Sequence, residues 1–455
     1  MRFFTVGLGH CGGKIANDFK KTAIGRNGII VDVCAINTDE TDLETHGQIP
    51  SNNKLLIGTG KGAAKNWKEG LQAAEQARSN IRELLAKLLM PDTDVIILTM
   101  GEGGGTGSGT APIVSEIVGE LGRTCIAIAT LPFGVESVKA KVNAAFGLDH
   151  LYRQEALKAL ICIDNDKITA HFPDRLLTDA YGKVNELIVG TFLNLINLAH
   201  VPSRADRIDE SELASIFEYT GFATLVNFKT PANLVENLSA TLRHSWNGSL
   251  FAEMDPTTAT AAIFGIQAPS HLFTTTQVDA VRRTFRDLLA GKNAMIGIYP
   301  LEKSRWASYT GILTGMEIPG KVNILLESAR KEFIEHQDLV EERQKSKRAG
   351  LRFDLAPPKR DSVVDKPSVL LGESEDISRA VSPEPFQEDR GQEEFERLMS
   401  LIQGLRGEIY TLDELVSYIR NELNILDERL IHNLIFKLQD EGYLAEIEQN
   451  KYKVI

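Results

Sequence analysis

Cysteine is scarce: four in 455 residues (Cys11, Cys34, Cys125 and Cys162), none in a CxxC spacing. That excludes a disulfide framework and a thiolate zinc site, and it fits reduced thiols inside a cell. Positive charge is also in deficit. With 50 Lys plus Arg against 62 Asp plus Glu, the formal net charge is −12. A dominant nucleic-acid or anionic-membrane surface is therefore disfavoured. No apolar run is long enough to span a membrane and no secretory leader is visible, so a cytoplasmic location is expected. Against these absences stand 43% hydrophobic residues and enough length for two or three globular domains.

One stretch organises the chain. Thr99 to Pro112 reads Thr-Met-Gly-Glu-Gly-Gly-Gly-Thr-Gly-Ser-Gly-Thr-Ala-Pro. The β-branched run Asp94–Leu98 before it predicts a buried strand; Ile113, Ile117, Val118 and Leu121 after it recur at helical spacing. Pro112 is expected at a first helical position. Strand, glycine turn and helix together make an anion cradle, because glycine lets the backbone approach a phosphate and a helix start supplies orphan N–H donors. Thr106 and Ser108 add hydroxyls. No Gly-Lys-Ser/Thr closes the loop, so this is not a Walker A motif. A second glycine turn, Gly7-Leu8-Gly9-His10-Cys11-Gly12-Gly13-Lys14, follows the strand Arg2–Val6 and alone would suit a dinucleotide fold.

The run Gly103-Gly104-Gly105-Thr106-Gly107-Ser108-Gly109 resembles the signature of the tubulin/FtsZ family of polymerising GTPases. Other loops match in order over about residues 1–345, closest to the prokaryotic TubZ and CetZ branches. The resemblance implies GTP or GDP bound with Mg²⁺, and hydrolysis coupled to head-to-tail filament formation. It places Gly9, His10, Cys11, Gly12, Lys14, Asn37 and the signature residues at the phosphates, with His10 and Cys11 where FtsZ commonly has glycine. Ala63, Ala64 and Asn66 correspond to the γ-phosphate-sensing loop. Glu136, after Pro132-Phe133, inherits a ribose contact; the arginine that FtsZ carries four residues later is Ala140 here, leaving Lys139, Lys141 or Asn143 as substitutes. Asn165 matches a guanine-side asparagine. Tyr181 would stack on the base and Asn185 would read its edge; without the resemblance they are two helix residues on one face.

Arg207-Ile208-Asp209-Glu210-Ser211-Glu212 follows the long helix. By residue type Asp209-x-x-Glu212 is a capping box. By resemblance these two acids are the catalytic pair that enters the next subunit's nucleotide site, and Arg207 stands where the family has asparagine. No direct protein ligand to a metal is identified.

The expected fold is α/β. A Rossmann-like GTPase domain with a parallel sheet covers 1–178, a central helix 179–201 and a second α/β domain 202–320. A long helix at 321–347 and a disordered Pro/Ser/charge-rich linker at 348–392 lead to a winged-helix-like module at 393–455, with helices at 394–405, 412–423 and 428–442 and a hairpin about Gln449-Asn450. From Arg406 onward six basic residues face ten acidic ones, so phosphate binding is poorly supported. The module is expected to dock an adaptor protein rather than DNA. Competing function classes are a nucleotide-binding scaffold that does not polymerise and a nicotinamide-dependent enzyme.

Overall fold

The computed structural model describes residues 1–331 apart from 27, 174, 204, 232–241, 243–248, 293 and 303, together with 409–411, 414, 418–420, 444–448 and 451–454. The chain divides into two units, Met1–Asp354 and Leu355–Ile455. The first opens β1 (Arg2–Leu8), α1 (Gly9–Ala23), β2 (Ile30–Asn37), α2 (Glu40–Glu44), β3 (Lys54–Leu56), α3 (Trp67–Gln76), α4 (Arg78–Leu88), β4 (Val95–Gly101) and α5 (Gly105–Glu120). It continues β5 (Cys125–Leu131), α6 (Val138–Tyr152), β6 (Leu157–Asp164), α7 (Asp166–His171), α8 (Leu177–Asn197) and α9 (Glu210–Ser215). Then come β7 (Gly221–Pro231), β8 (Ala261–Pro269), α10 (Thr275–Leu288), β9 (Ala294–Leu301), β10 (Trp306–Met316) and a helix at 320–331.

Ten strands form one sheet in the order β3-β2-β1-β4-β5-β6-β7-β10-β8-β9. The strands from β3 to β7 pair in parallel, and β10 runs antiparallel to both β7 and β8. The second α/β segment thus continues the first segment's sheet. The parallel strands read as continuous apolar runs because both faces are covered. Successive residues of β1 show it: Phe3 packs with Phe19 and Phe192 of α1 and α8, whereas Phe4 packs on the side of α4 and α5. Phe192 lies edge-on to both Phe3 and Phe19, at 5.9 and 5.6 Å between ring centroids. These contacts seat the long helix α8, apolar at Val184, Ile188, Phe192 and Ile196, against the sheet.

Three expectations change. The helix expected to run unbroken to Leu89 is two helices, interrupted at Ala77 (φ −95°, ψ 8°). Pro112 lies inside α5 rather than at its start, because the helix begins within the glycine run at Gly105. Its ring removes the N–H that would bond Ser108, and the orphan amides move toward the centre of the signature. In the second unit the hairpin exists, Leu444–Glu448 pairing antiparallel with Lys451–Val454, but a third strand, Ile409–Thr411, pairs with the latter. The linker 348–392 and most of the three helices expected in 394–442 lie outside the described residues, as does the long helix beyond 331.

Candidate functional site

The C-terminal ends of β1, β2, β4, β5 and β6 share one edge of the sheet, and each runs straight into an expected site loop. The two glycine turns touch. Gly9 sits at φ +68°, and a Cβ there would meet the Gly107 amide nitrogen at 3.2 Å. Gly105 is locked by the neighbouring loop: an added Cβ would fall 2.5 Å from the Asn66 nitrogen. Gly104, the N-cap residue of α5 (φ −85°, ψ 165°), is different, since its Cβ would meet only the Gly101 oxygen, at 3.6 Å. Gly104 is therefore glycine for something other than the protein's own packing.

Residues 63–66 lie against Gly105. Ala64 and Lys65 both adopt φ +48°, a conformation that costs about 1 kcal/mol or more per non-glycine residue and collects at functional sites. Two side chains hold it there. Lys139 Nζ donates to the Ala64 oxygen at 2.8 Å, and Asn143 Nδ2 donates to Lys65 O at 3.1 Å and Gly103 O at 3.2 Å. Asn143 also accepts from the Trp67 amide. Two of the three candidates to replace the missing arginine thus brace the loops. Asn66 caps α3, accepting from the Lys68 amide at 3.2 Å, and Ala63 is buried.

Around this cradle the expected residues divide. The Thr106 and Thr38 hydroxyls are 2.6 Å apart, which ties the end of β2 to α5. Asn37 is buried with Nδ2 unpartnered, a donor in want of an acceptor. Ser108 is buried and its hydroxyl bonds the Glu102 carbonyl, so it holds the loop rather than projecting into it. His10 Nδ1 lies 2.9 Å from Asp42, Cys11 Sγ lies 3.4 Å from Thr130 Oγ1, and Lys14 is exposed. Gly12 packs under Thr99, whose hydroxyl bonds the Gly12 oxygen at 2.8 Å. Glu136 accepts from the Phe133 amide at 3.0 Å and lies beside Gly103. Tyr181 stands 38% exposed within electrostatic reach of Glu136 and Cys11. Asn185, one turn along α8, is buried, within electrostatic reach of Asp18 of α1. Asn165 is half-buried at the start of α7. The glycine loops, Glu136 and Tyr181 therefore gather at the C-terminal ends of the parallel strands, with Asn37 buried at the end of β2.

Asp209 and Glu212 lie elsewhere. They close a capping box on α9: Asp209 Oδ1 accepts from the Glu212 amide at 2.8 Å, and Glu212 Oε2 from the Asp209 amide at 3.0 Å. Each keeps its second carboxylate oxygen. The Glu212 amide and the Ser211 hydroxyl hold the Asp209 carboxyl below its ordinary range. Glu210 between them bonds the Met1 ammonium at 3.2 Å, which fixes this turn at the N-terminal edge of β1, opposite the cradle.

Two residues carry no signal in pattern or motif. Glu102, inside the signature, is fully buried with both carboxylate oxygens unpartnered, against Ser108 and Gly147. Burial disfavours its charged form and pushes its pKa up to about 8. Asp18 is legible only once α1 and α8 are seen together. Among the described residues no group of three His, Cys, Asp or Glu could hold a metal ion, and no helix is long and apolar enough to cross a membrane.

Residues 2–172 match the family model described as "Tubulin/FtsZ family, GTPase domain". The tubulin-like protein CetZ of Pyrococcus horikoshii is 28% identical over 361 residues, spanning 77% of this chain and 96% of that protein. In fold the chain is similar to CetZ2 from Haloferax volcanii, solved as a GTPγS-bound protofilament (TM-score 0.64, 23% identity, 74% of this chain and 100% of that one). It is similar also to a GTPγS-form protofilament of Bacillus thuringiensis serovar israelensis TubZ (TM-score 0.66, 19% identity, 75% and 94%). Residues 2–172, which carry the strand-end glycine cradle, thus match the GTPase domain of the tubulin/FtsZ family.

Proposed function

We propose that this chain is a cytoplasmic GTP hydrolase whose copies assemble head to tail, each cradle being completed by the Asp209–Glu212 turn of the next copy. One observation carries the reading. The cradle lies at the C-terminal strand ends, while Glu210 is pinned to Met1 at the N-terminal end of β1. Between them runs α8, whose 21 residues cover about 30 Å at 1.5 Å per residue. A copy's own carboxylates are out of reach of its own phosphates, so they serve another copy or serve only as caps.

In this reading the amides that open α5 and the backbone at Gly9 bind the polyphosphate, and Asn37 Nδ2 finds its acceptor on the nucleotide. Glu136 holds the ribose, Tyr181 stacks on the guanine and Asn185 reads its edge, with Asn165 alongside. The free oxygens of Asp209 and Glu212 orient the attacking water. Mg²⁺, held mainly by phosphates and water, supplies charge neutralisation. The protofilaments named for the CetZ2 and TubZ structures support assembly as the outcome. Segregation of DNA, division and shape control are the cytoskeletal roles that suit such a filament, and the acidic C-terminal unit suits an adaptor protein.

The test is light scattering with phosphate release across protein concentrations, in GTP, GDP and NAD. Turnover per molecule should rise steeply above a threshold concentration and only with GTP. Turnover that is flat with concentration would overturn the head-to-tail reading.

A further inference from the structure

Arg207 is shared by two open clefts that flank the Asp209–Glu212 turn. One, of 590 Å³, is lined by Arg207 and Glu212 with Arg282, Arg286 and Lys292 among others. The other, of 580 Å³, includes Arg207, Asp209, Glu210 and His200. The remaining cations of the first cleft are engaged. Arg282 pairs with Asp206, Arg286 lies 3.9 Å from Asp287 and Lys292 Nζ donates to the Thr257 oxygen at 2.9 Å. Arg207 is exposed and makes no hydrogen bond or ion pair with a described residue. Its backbone flanks are held: the Ile208 amide donates to the Tyr299 hydroxyl at 3.2 Å, and the Asp206 oxygen accepts from the Ile298 amide at 2.7 Å. A guanidinium that makes no hydrogen bond or ion pair with a described residue, on an anchored stretch of chain and within electrostatic reach of the half-used Asp209 carboxylate, is prepared for a ligand from outside.

Charge identifies the ligand. Glu210 is offset by the Met1 ammonium, so the turn alone would bring the two negative charges of Asp209 and Glu212 toward a polyphosphate. That approach is repulsive unless a cation travels with it. Guanidinium is the side chain best matched to phosphate oxygens, and it keeps its charge at every working pH.

We propose that Arg207 binds the terminal phosphate of the GTP held by the next copy of this chain and acts there as a catalytic residue. This rests on the head-to-tail reading above. Water oxygen bonds to the γ-phosphorus, and the bond from that phosphorus to the β–γ bridging oxygen breaks. GDP leaves with the electron pair, and inorganic phosphate and a proton are released. Arg207 stabilises the charge shifting onto the bridging and terminal oxygens, as trans-supplied arginines do in other phosphoryl transfers.

The experiment compares the full chain with Arg207→Ala and Arg207→Lys, measuring turnover per sedimented subunit and GTP affinity below the assembly threshold. Expected is a loss of about 100-fold or more for alanine, incomplete recovery with lysine, and unchanged affinity of the dilute protein. A merely structural arginine would alter the amount sedimented and leave turnover per sedimented subunit alone; that result overturns the proposal. Equimolar mixing with Gly104→Val, a copy with a blocked cradle and an intact Arg207, should restore turnover to Arg207→Ala. The control mixes Gly104→Val with Asp209→Asn. Rescue in the control without rescue of Arg207→Ala overturns the role of Arg207 alone. Flat concentration dependence with no rescue in either mixture overturns the head-to-tail reading beneath it.

Discussion

The ammonium of Met1 lies 3.2 Å from Glu210 Oε1, and the same carboxylate oxygen lies 3.4 Å from His200 Nδ1. Glu210 thereby fastens the loop after α8 to the start of the first strand. Its sequence neighbours Asp209 and Glu212 inherit a fixed position at the edge of the sheet remote from the glycine loops. One acid of the three positions the turn; the other two are left with an oxygen each to offer.

Capping and catalysis can be separated at Asp209. Asparagine caps about as well as aspartate but carries no charge. Asp209→Asn should therefore melt within a degree or two of the parent and bind GTP normally, yet lose roughly 100-fold or more in turnover. Asp209→Ala should lose both turnover and thermal stability. Normal phosphate release by Asp209→Asn would leave the carboxylate with a capping role only.

A valine at Gly104 meets no backbone closer than 3.6 Å from its Cβ and needs no unusual φ, whereas at Gly105 the Cβ would collide with Asn66 at 2.5 Å. Gly104→Val should fold like the parent and lose GTP binding. Gly105→Val should be damaged in folding itself. Circular dichroism melts beside nucleotide titration make the check, and intact GTP affinity in Gly104→Val would show that phosphate does not lie over this residue.

How much of this was legible in advance follows from what makes each signal. The parallel core, α8 and the strand–glycine–helix units are written in local pattern, since a strand buried on both faces is an apolar run and glycine marks close approach. The start of α5 was misplaced because proline usually opens a helix, and here the extended Gly104 decides instead. The break at Ala77 has no proline or glycine to announce it. Asn143 as the clamp on Lys65 and Gly103 joins residues 78 and 40 positions apart, and no local rule reports such pairings. Glu102 reads as a polar loop residue until the packing of α5 and α6 buries it.

That burial carries a pH signature. Glu102 faces Ser108 of α5 and Gly147 of α6, with the Cys162 thiol and Asp164 of β6 in the same surroundings. Desolvation raises its pKa from the ordinary 4.5 to about 8. The neutral form is the one the fold accommodates, so this group's contribution is complete at low pH and is lost as pH climbs between those two values. Relative to Glu102→Gln, the parent should lose stability by up to about 1.4 kcal/mol per pH unit across that window. Denaturant midpoints of both proteins from pH 5 to 9 give the difference directly. Parallel curves would mean that the carboxyl finds water or a partner in solution.

The last expectation concerns the base. Asn185 lies within electrostatic reach of Asp18, whose carboxyl burial pushes up and Asn185 pulls back down; an ionised carboxylate only accepts, so the Asn185 group it favours is the amide NH₂. On the proposed guanine-reading role of Asn185, its oxygen is then the group left for the nucleotide, where it would suit the N–H donors on the guanine edge and reject the acceptor that adenine presents. Asp18→Ala releases the amide to turn either way. The variant should keep its fold and most of its affinity for GTP, while its discrimination against ATP falls by about tenfold, the worth of one correctly directed hydrogen bond. Competition titrations of GTP, ITP and ATP against a fluorescent guanine nucleotide measure it. ITP, which lacks the exocyclic amine, shows whether N1 or N2 is read. An unchanged GTP-to-ATP ratio in Asp18→Ala would mean that Asn185 is oriented by the base itself, and that Asp18 only joins α1 to α8.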